Sequence, residues 1–266
     1  MAAKDPFIVE VTRGDMVESR HRGAAVVMDA SGGVVRAWGD ADRVVFPRSA
    51  IKPLQAIPLI ETGAAEAFGL GDDELALASA SHGARPEHTD AVGRWLERIG
   101  LSADDLECGA HEPLDPESAR AMVRAGRSPG PIHNNCSGKH AGFLAAARHL
   151  GEPTRGYVRP EHPAEKRWLA AVSEMAGAEL TGAPRGTDGC GIPVVGLPLS
   201  AIARASARMA DPGGLEPGRA EACRRIVAAM TGAPDMVAGQ SRFDTVAIKA
   251  AAGALAVKTG AEGMYV

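Results

Sequence analysis

Aromatic residues are scarce in this 266-residue chain, at 4% of positions, with five Phe, three Trp and two Tyr. Abundant alanine takes their place, a composition that suits closely packed helices. No apolar run reaches the length of a membrane span. The opening stretch, MAAKDPFIVEVTRGD, has no apolar core and no small-residue cleavage site, so no secretory leader is read and a soluble, cytoplasmic protein is expected. Basic blocks are also missing: 29 Lys and Arg stand against 33 Asp and Glu, for a net charge of -4. Neither nucleic acid nor an anionic membrane is therefore expected as a partner. The four cysteines (Cys108, Cys136, Cys190 and Cys223) are far apart and form no C-x-x-C. Without an export signal, disulfides are set aside, which leaves metal binding, catalysis or burial. There is no internal repeat and no low-complexity linker.

The stretch that organises the rest is RSAIKPLQAIPLIETG, opening on Arg48-Ser49-Ala50-Ile51-Lys52. Ile51, Leu54, Ile57 and Ile60 recur three apart and predict a helix with one buried stripe. Ser49 and Lys52 share a face of its first turn. Ser49 serves there either as a helix cap or as a nucleophile with its base one turn away, the S-x-x-K arrangement of serine acyl-transfer enzymes. Near the other end, Lys258-Thr259-Gly260 follows the short apolar run Ala254–Val257. S-x-x-K early and K-T-G late is the pattern of penicillin-recognising enzymes, with K-T-G on a strand beside the serine.

Residues 7–12, 23–28 and 34–38 read as strands, the last two joined as a hairpin through Asp29–Gly33. The charged run Glu18–Arg22 is expected in the connection before that hairpin. Asp72-Asp73-Glu74 suits a helix N-terminus, and that helix should run to Ser81. Ser81 is either a polar exit or the middle element of the site, in the position of the S-D-N serine of β-lactamases. Helices are predicted over 86–99, from about Pro116, over 162–177 and over 216–231. From Thr245 the chain should form a helix, then a strand at Val257, then the start of another at residues 262–266. Arg242 is placed to hold a substrate carboxylate or to pair with Asp244.

Two polar loops carry thiols. His133-Asn134-Asn135-Cys136-Ser137-Gly138-Lys139-His140 opens a helix, where free N–H groups make a natural binding site. Thr187-Asp188-Gly189-Cys190-Gly191 is a tight turn. If Cys136 and Cys190 face each other, they are soft zinc ligands, with His133, His140, Asp188 or Lys139 to complete the shell. Buried apolar filler is the other use of such thiols. Cys108 and His111 also have metal-pair spacing, and Cys223 is assigned to packing.

Taken in order, EVTRGDMVESRHRG, PRSAIKPLQA, ASASHG, CGAHEPLD, HNNCSGKHAGFL, GTDGCGIP, MVAGQSRFDT and VKTGAEGMYV resemble the asparaginase II family of the thermolabile rhizobial type. HNNCSGKH together with GTDGCG is the most specific of these matches. The resemblance covers residue 9 to the end and implies one domain over 1–266. It implies an α+β fold, an α/β/α sandwich like that of serine β-lactamases, with an antiparallel sheet flanked by helices. Family members continue past this chain's last residue, so a C-terminal part is expected to be missing. It further implies two Ser-Lys tandems, Ser49 with Lys52 and Ser81 with Lys258, and a zinc ion held by Cys136, Lys139 and Cys190. Arg48, His82, Asn135, Asp188 and Arg242 are expected to bind substrate, and a homodimer is expected.

The activity implied is hydrolysis of the L-asparagine side-chain amide, with Ser49 attacking and Ser81 relaying the proton. The paired lysines would depress each other's proton affinity, which supplies a base near neutral pH. Two other readings compete with it. One is another Ser-Lys amidohydrolase, such as a glutaminase or a β-lactamase-like enzyme. The other is an inactive zinc- or ligand-binding homologue.

Overall fold

Periodic apolar stripes become helices much as the sequence predicts. A computed structural model describes residues 5–266. Helix α5 (Pro86–Arg98) starts on a first-turn proline and buries Val92, Trp95 and Leu96, with Ile99 just beyond its end. Helix α6 (Pro116–Arg124) is capped by the Asp115 carboxylate, which accepts the Ser118 N–H at 2.8 Å. Helices α8 (Pro163–Ala176) and α10 (Pro217–Gly232) also begin with proline. Cys223 lies fully buried within α10, as packing requires.

The expected helix at 51–60 is divided. A 3-10 turn over Arg48–Ile51 leads into α1 (Lys52–Gln55), then α2 (Ile57–Glu61) and α3 (Ala64–Ala67). Pro53 and Pro58, which lack N–H groups, sit in the first turns of α1 and α2. The stripe of Ile51, Leu54, Ile57 and Ile60 is nonetheless buried throughout.

Helix α4 (Asp72–Ala78) occupies the centre and packs against α5, α10 and α7 (Ser137–His149). It ends three residues short of Ser81. Residues 137–147 of α7 are buried on all sides, the mark of a helix enclosed by others. Gly138 makes that possible, because a Cβ there would lie 2.3 Å from the Leu77 carbonyl oxygen of α4. The scarce aromatics act as large fillers: Trp95, Trp168 and Tyr157 are among the largest fully buried side chains.

The strands predicted at 7–12, 23–28 and 34–38 form, the last two as the expected hairpin, and the rest depart from expectation. Strand β1 (Phe7–Arg13) pairs with β2 (Met16–Arg22), and β3 (Ala25–Met28) pairs with β4 (Val34–Trp38). The run Glu18–Arg22 is therefore strand and not connection. It is tied across the ladder by ion pairs from Arg20 to Glu10 and from Arg13 to Glu18, with His21 exposed on it. Strand β5 (Val44–Val45) pairs with β8 (Leu197–Pro198), and β6 (Arg185–Thr187) with β7 (Pro193–Val195).

The fold is thus mixed α+β and mostly helical. The expected sandwich around one large sheet is not seen, because the described strands form four separate antiparallel pairs. Register slips interrupt β1–β2 twice and β3–β4 once, which bends such ribbons, and the remaining pairs are only two or three residues long. At the C-terminal end Lys258 and Val266 exchange backbone hydrogen bonds, but only a single bridge, Thr259 to Tyr265, forms where two strands were expected. The last helices are α9 (Leu199–Ala210), α11 (Pro234–Val237) and α12 (Phe243–Ala250). Among the described residues, no helix is long and apolar enough to cross a membrane.

Candidate active site

Pro47 is followed by Arg48 at a φ of 53°, a left-handed conformation that costs a non-glycine residue energy and persists only where its surroundings enforce it. The enforcement is visible. The Arg48 guanidinium holds Asp188 Oδ1 at 2.8 and 2.9 Å, and Pro47 is buried behind it. The turn that follows is 3-10, with the Lys52 N–H donating to the Ser49 carbonyl. In a 3-10 turn the side chains at i and i+3 eclipse, so Ser49 and Lys52 stand one above the other. Ser49 is half-buried, and its hydroxyl makes no side-chain hydrogen bond among the described residues. Lys52 is fully buried and reaches inward, donating to the Ala80 carbonyl at 2.5 Å and to Ser81 Oγ at 3.0 Å.

Ser81 lies in the extended segment after α4. Backbone bonds clamp it there: Ser81 and Gly83 donate to the carbonyls of Val237 and Ala238, and His82 donates to that of Asn135. From the far end of the chain, Lys258 Nζ also reaches Ser81 Oγ at 3.0 Å. Gly260 permits this approach, since a Cβ there would come within 2.7 Å of the Pro47 carbonyl oxygen. The K-T-G segment therefore lies directly against the serine turn.

Counting donors defines the state of this cluster. A serine hydroxyl has one hydrogen to give and two lone pairs to accept with. Were both lysines ammonium ions, Ser81 would accept twice and its own hydrogen would have no acceptor among the described residues. A neutral amine would give that hydrogen a lone pair to meet. Burial and the nearby Lys52 push Lys258 down to about 7, which suits it to that role.

Asp244 completes the cluster, although sequence reasoning considered it only as a partner for Arg242. It is buried, and Oδ2 accepts from Lys258 at 3.3 Å. Both its oxygens accept from the Thr259 N–H at 3.1 Å, and Oδ1 also accepts from the Thr259 hydroxyl. The one signal available was an acid in the first turn of a helix, a position that ordinarily means only dipole pairing. Arg242 does not pair with it; its Nε is buried without a partner among the described residues.

The two thiol loops do face each other. Cys136 and Cys190 are close enough to shift each other's proton affinity, and Lys139 Nζ lies 3.3 Å from the Cys190 sulfur. The neighbouring Cys190, with burial, pushes the Cys136 thiol up to about 12. Cys136, assisted by Lys139, brings Cys190 down to about 5, which favours its thiolate at neutral pH. Burial works against the Lys139 charge, but Cys190, Cys136 and Asp188 around it raise it above the usual lysine value. Burial opposes the Asp188 charge as well, and Lys139 and Arg48 overcome it, holding the carboxyl low.

Among the described residues, no three His, Cys, Asp or Glu side chains gather into a metal cage. The nitrogen donor beside the thiols is an amine. His133 Nδ1 accepts from the Gly130 N–H, and His140 Nδ1 bonds to the Tyr157 hydroxyl. The Cys108–His111 pair does not form: Cys108 is buried and donates to the Pro131 carbonyl, while His111 is exposed and bonds to the Glu112 carbonyl.

Both His82 ring nitrogens are engaged with protein. Nδ1 accepts from the Ala84 N–H at 3.1 Å, so Nε2 carries the hydrogen and donates to Ser137 Oγ at 2.8 Å. Burial holds this ring neutral, well below the usual histidine value. Of the expected substrate residues, His82 locks the Ser81 segment in place. Asn135 accepts from the Cys136 thiol at 3.2 Å, linking the serine segment to the thiol cluster.

This ordered set of turns, from the strand before Arg13 to the K-T-G segment, matches the model of the L-asparaginase II family over residues 9–266. The chain belongs to the L-asparaginase II family. No curated protein matches it. For an L-asparaginase II family member, the two buried lysines on one serine and the lysine–thiolate cluster nearby are the arrangement to explain, and membership makes an amidohydrolase acting on asparagine the first function to consider.

Proposed function

We propose that this protein hydrolyses the side-chain amide of L-asparagine to L-aspartate and ammonia. The observation that carries this reading is the convergence of Lys52 and Lys258 on Ser81 Oγ, each at 3.0 Å, in a buried site. Ser49, the more accessible hydroxyl, attacks the amide carbon. Lys258 takes the Ser81 proton, Ser81 takes one from Lys52, and Lys52 is left with the lone pair that accepts the Ser49 proton. The proton then returns along the same path to the amide nitrogen, and ammonia leaves. Water hydrolyses the resulting ester by the same relay.

Arg242, with a buried and unpartnered Nε, is the cation for the substrate carboxylate. Asp188, held ionised beside Arg48, suits the substrate ammonium.

Cys136, Cys190 and Lys139 bring two sulfurs and one nitrogen together, which we assign to zinc, whose binding would displace the protons that Cys136 and Lys139 otherwise hold. A Cys190 already ionised at neutral pH fits such a ligand set. When bound, zinc supplies a Lewis acid softened by two thiolates, suited to orienting substrate. Elemental analysis of protein purified without a histidine tag should find zinc, and its absence from active protein would remove this assignment.

The function is tested by ammonia release from asparagine and glutamine side by side. Release from asparagine is expected, and its absence overturns the reading in favour of a ligand-binding homologue. Ser49→Ala should lower turnover on the order of 10³-fold or more. Because both amines touch Ser81, a second reading makes Ser81 the nucleophile. Trapping the acyl-enzyme with a slow ester and mapping the modified peptide separates the two: label on residue 49 supports the first, and label on residue 81 the second.

A further inference from the structure

Lys258 Nζ makes three contacts: the Thr259 carbonyl at 2.6 Å, Ser81 Oγ at 3.0 Å and Asp244 Oδ2 at 3.3 Å. With its own Cε these make four neighbours, the number a tetrahedral nitrogen accommodates. As an ammonium ion, Lys258 donates along all three. As a neutral amine it has two hydrogens and one lone pair, and the direction left for the lone pair depends on which two partners take the hydrogens. The Thr259 carbonyl and the Asp244 carboxylate are pure acceptors in this setting, so they take them. The lone pair is left facing the one partner that can donate, the Ser81 hydroxyl.

Asp244 is itself fixed. Both its oxygens accept the Thr259 N–H, Oδ1 accepts the Thr259 hydroxyl, and the residue is 2% exposed. It is carried on the first turn of α12, so it reaches the lysine from a different element than Ser81 does. We propose that Asp244 is a positioning residue: it orients the neutral Lys258 amine so that its lone pair meets the Ser81 hydroxyl. This rests on the reading above in which Lys258 and Ser81 carry the proton of amide hydrolysis.

The groups that set Lys258's proton affinity are few. Burial disfavours its charge most, and Lys52 from α1 adds to that. Asp244 from α12 favours it, and so, more weakly, does the Cys136 thiol at the start of α7; Ser81 and the Thr259 carbonyl are uncharged. Replacing Asp244 by asparagine thus has two effects of opposite sense. The lysine becomes neutral at lower pH, so more base is available, yet the base is misdirected and works more slowly. A residue that merely supported the fold would produce neither combination.

The experiment compares wild type, Asp244→Asn and Asp244→Glu in ammonia release from asparagine across pH. In parallel, NMR of ¹³C-lysine-labelled enzyme without substrate follows Lys258, assigned with Lys258→Arg. Asp244→Asn should lower kcat on the order of 10- to 100-fold with KM nearly unchanged. Its acid limb, and the NMR titration of Lys258, should both move down by about one pH unit. Asp244→Glu should return the limb and the titration toward wild type.

The proposal is overturned if Asp244→Asn keeps both kcat and the acid limb. It is equally overturned if activity falls only in proportion to the folded fraction seen by circular dichroism. Should Asp244→Asn not fold, Thr259→Val, which removes the hydroxyl that fixes Asp244, should also lower kcat with KM nearly unchanged, and an unchanged kcat and titration in that variant overturn it. If wild type releases no ammonia, the function fails, while the Lys258 titration still decides whether Asp244 governs that amine.

Discussion

Lys139 and Lys258 are both buried amines, and they end in opposite states. Burial disfavours the charge of each. Lys258 has another lysine for a neighbour and falls to about 7. Lys139 has the Cys190 thiolate beside it and rises above the ordinary lysine value. Depth alone therefore does not decide whether a lysine is a base or a fixed cation; the balance of the charges around it does. Two clusters built from common residues thereby acquire different chemistry, a proton acceptor in one and a cation–thiolate pair in the other.

The sharpest way to break this comparison is Lys52→Met. Without the like charge, Lys258 should titrate about two units higher, and turnover at neutral pH should fall on the order of 10³-fold. The lysine NMR titration checks the first and ammonia release the second; a Lys258 still near 7 would mean that burial alone sets it.

Next in size is Cys190→Ser, which leaves Lys139 buried without its thiolate. Loss of one partner of a buried pair should destabilise the fold by about 3 kcal/mol, read by denaturant unfolding, and the variant should not retain zinc. Unchanged stability would show that Lys139 needs no counter-charge.

The smallest effect concerns burial with little help from neighbours. Glu165 is buried, accepts from Trp168 Nε1 at 2.5 Å, and leaves Oε1 without a partner among the described residues. Burial pushes it up to about 7. The folded protein therefore holds a proton that the unfolded chain gives up near 4.5. The stability this confers is complete below that value and lost as pH rises through about 7. Glu165→Gln imitates the protonated acid at every pH. Its advantage in denaturant unfolding should grow between pH 5 and pH 8 by on the order of 1–3 kcal/mol. An advantage equal at both pH values would contradict the shift.

Most helices were legible because one apolar stripe fixes both their period and their inward face. The same logic made Ser49 and Lys52 neighbours before any coordinates. Strand β2 was not legible, since Glu18–Arg22 is solvated on both faces and has no buried alternation to reveal it. The arrangement of strands was equally hidden: separate hairpins and one sheet have the same local pattern, and only partner choice distinguishes them. Within the site, K-T-G was readable as a motif. Asp244 was not, because its meaning depends on a lysine fourteen positions away that folds back onto it. Lys139 as the amine beside the thiols came from resemblance, since neighbouring histidines were chemically the better candidates.

Gly260 touching the Pro47 carbonyl means that two places separated by most of the chain must meet before the base exists at all. Contacts so distant in sequence carry a loop-closure cost and are slow to form. A nascent or partly unfolded polypeptide consequently carries only ordinary serines and protonated lysines, harmless toward the amides and esters of the cell. On the proposed mechanism, reactivity is switched on only by that closure, so the finished shape acts as its own safety catch.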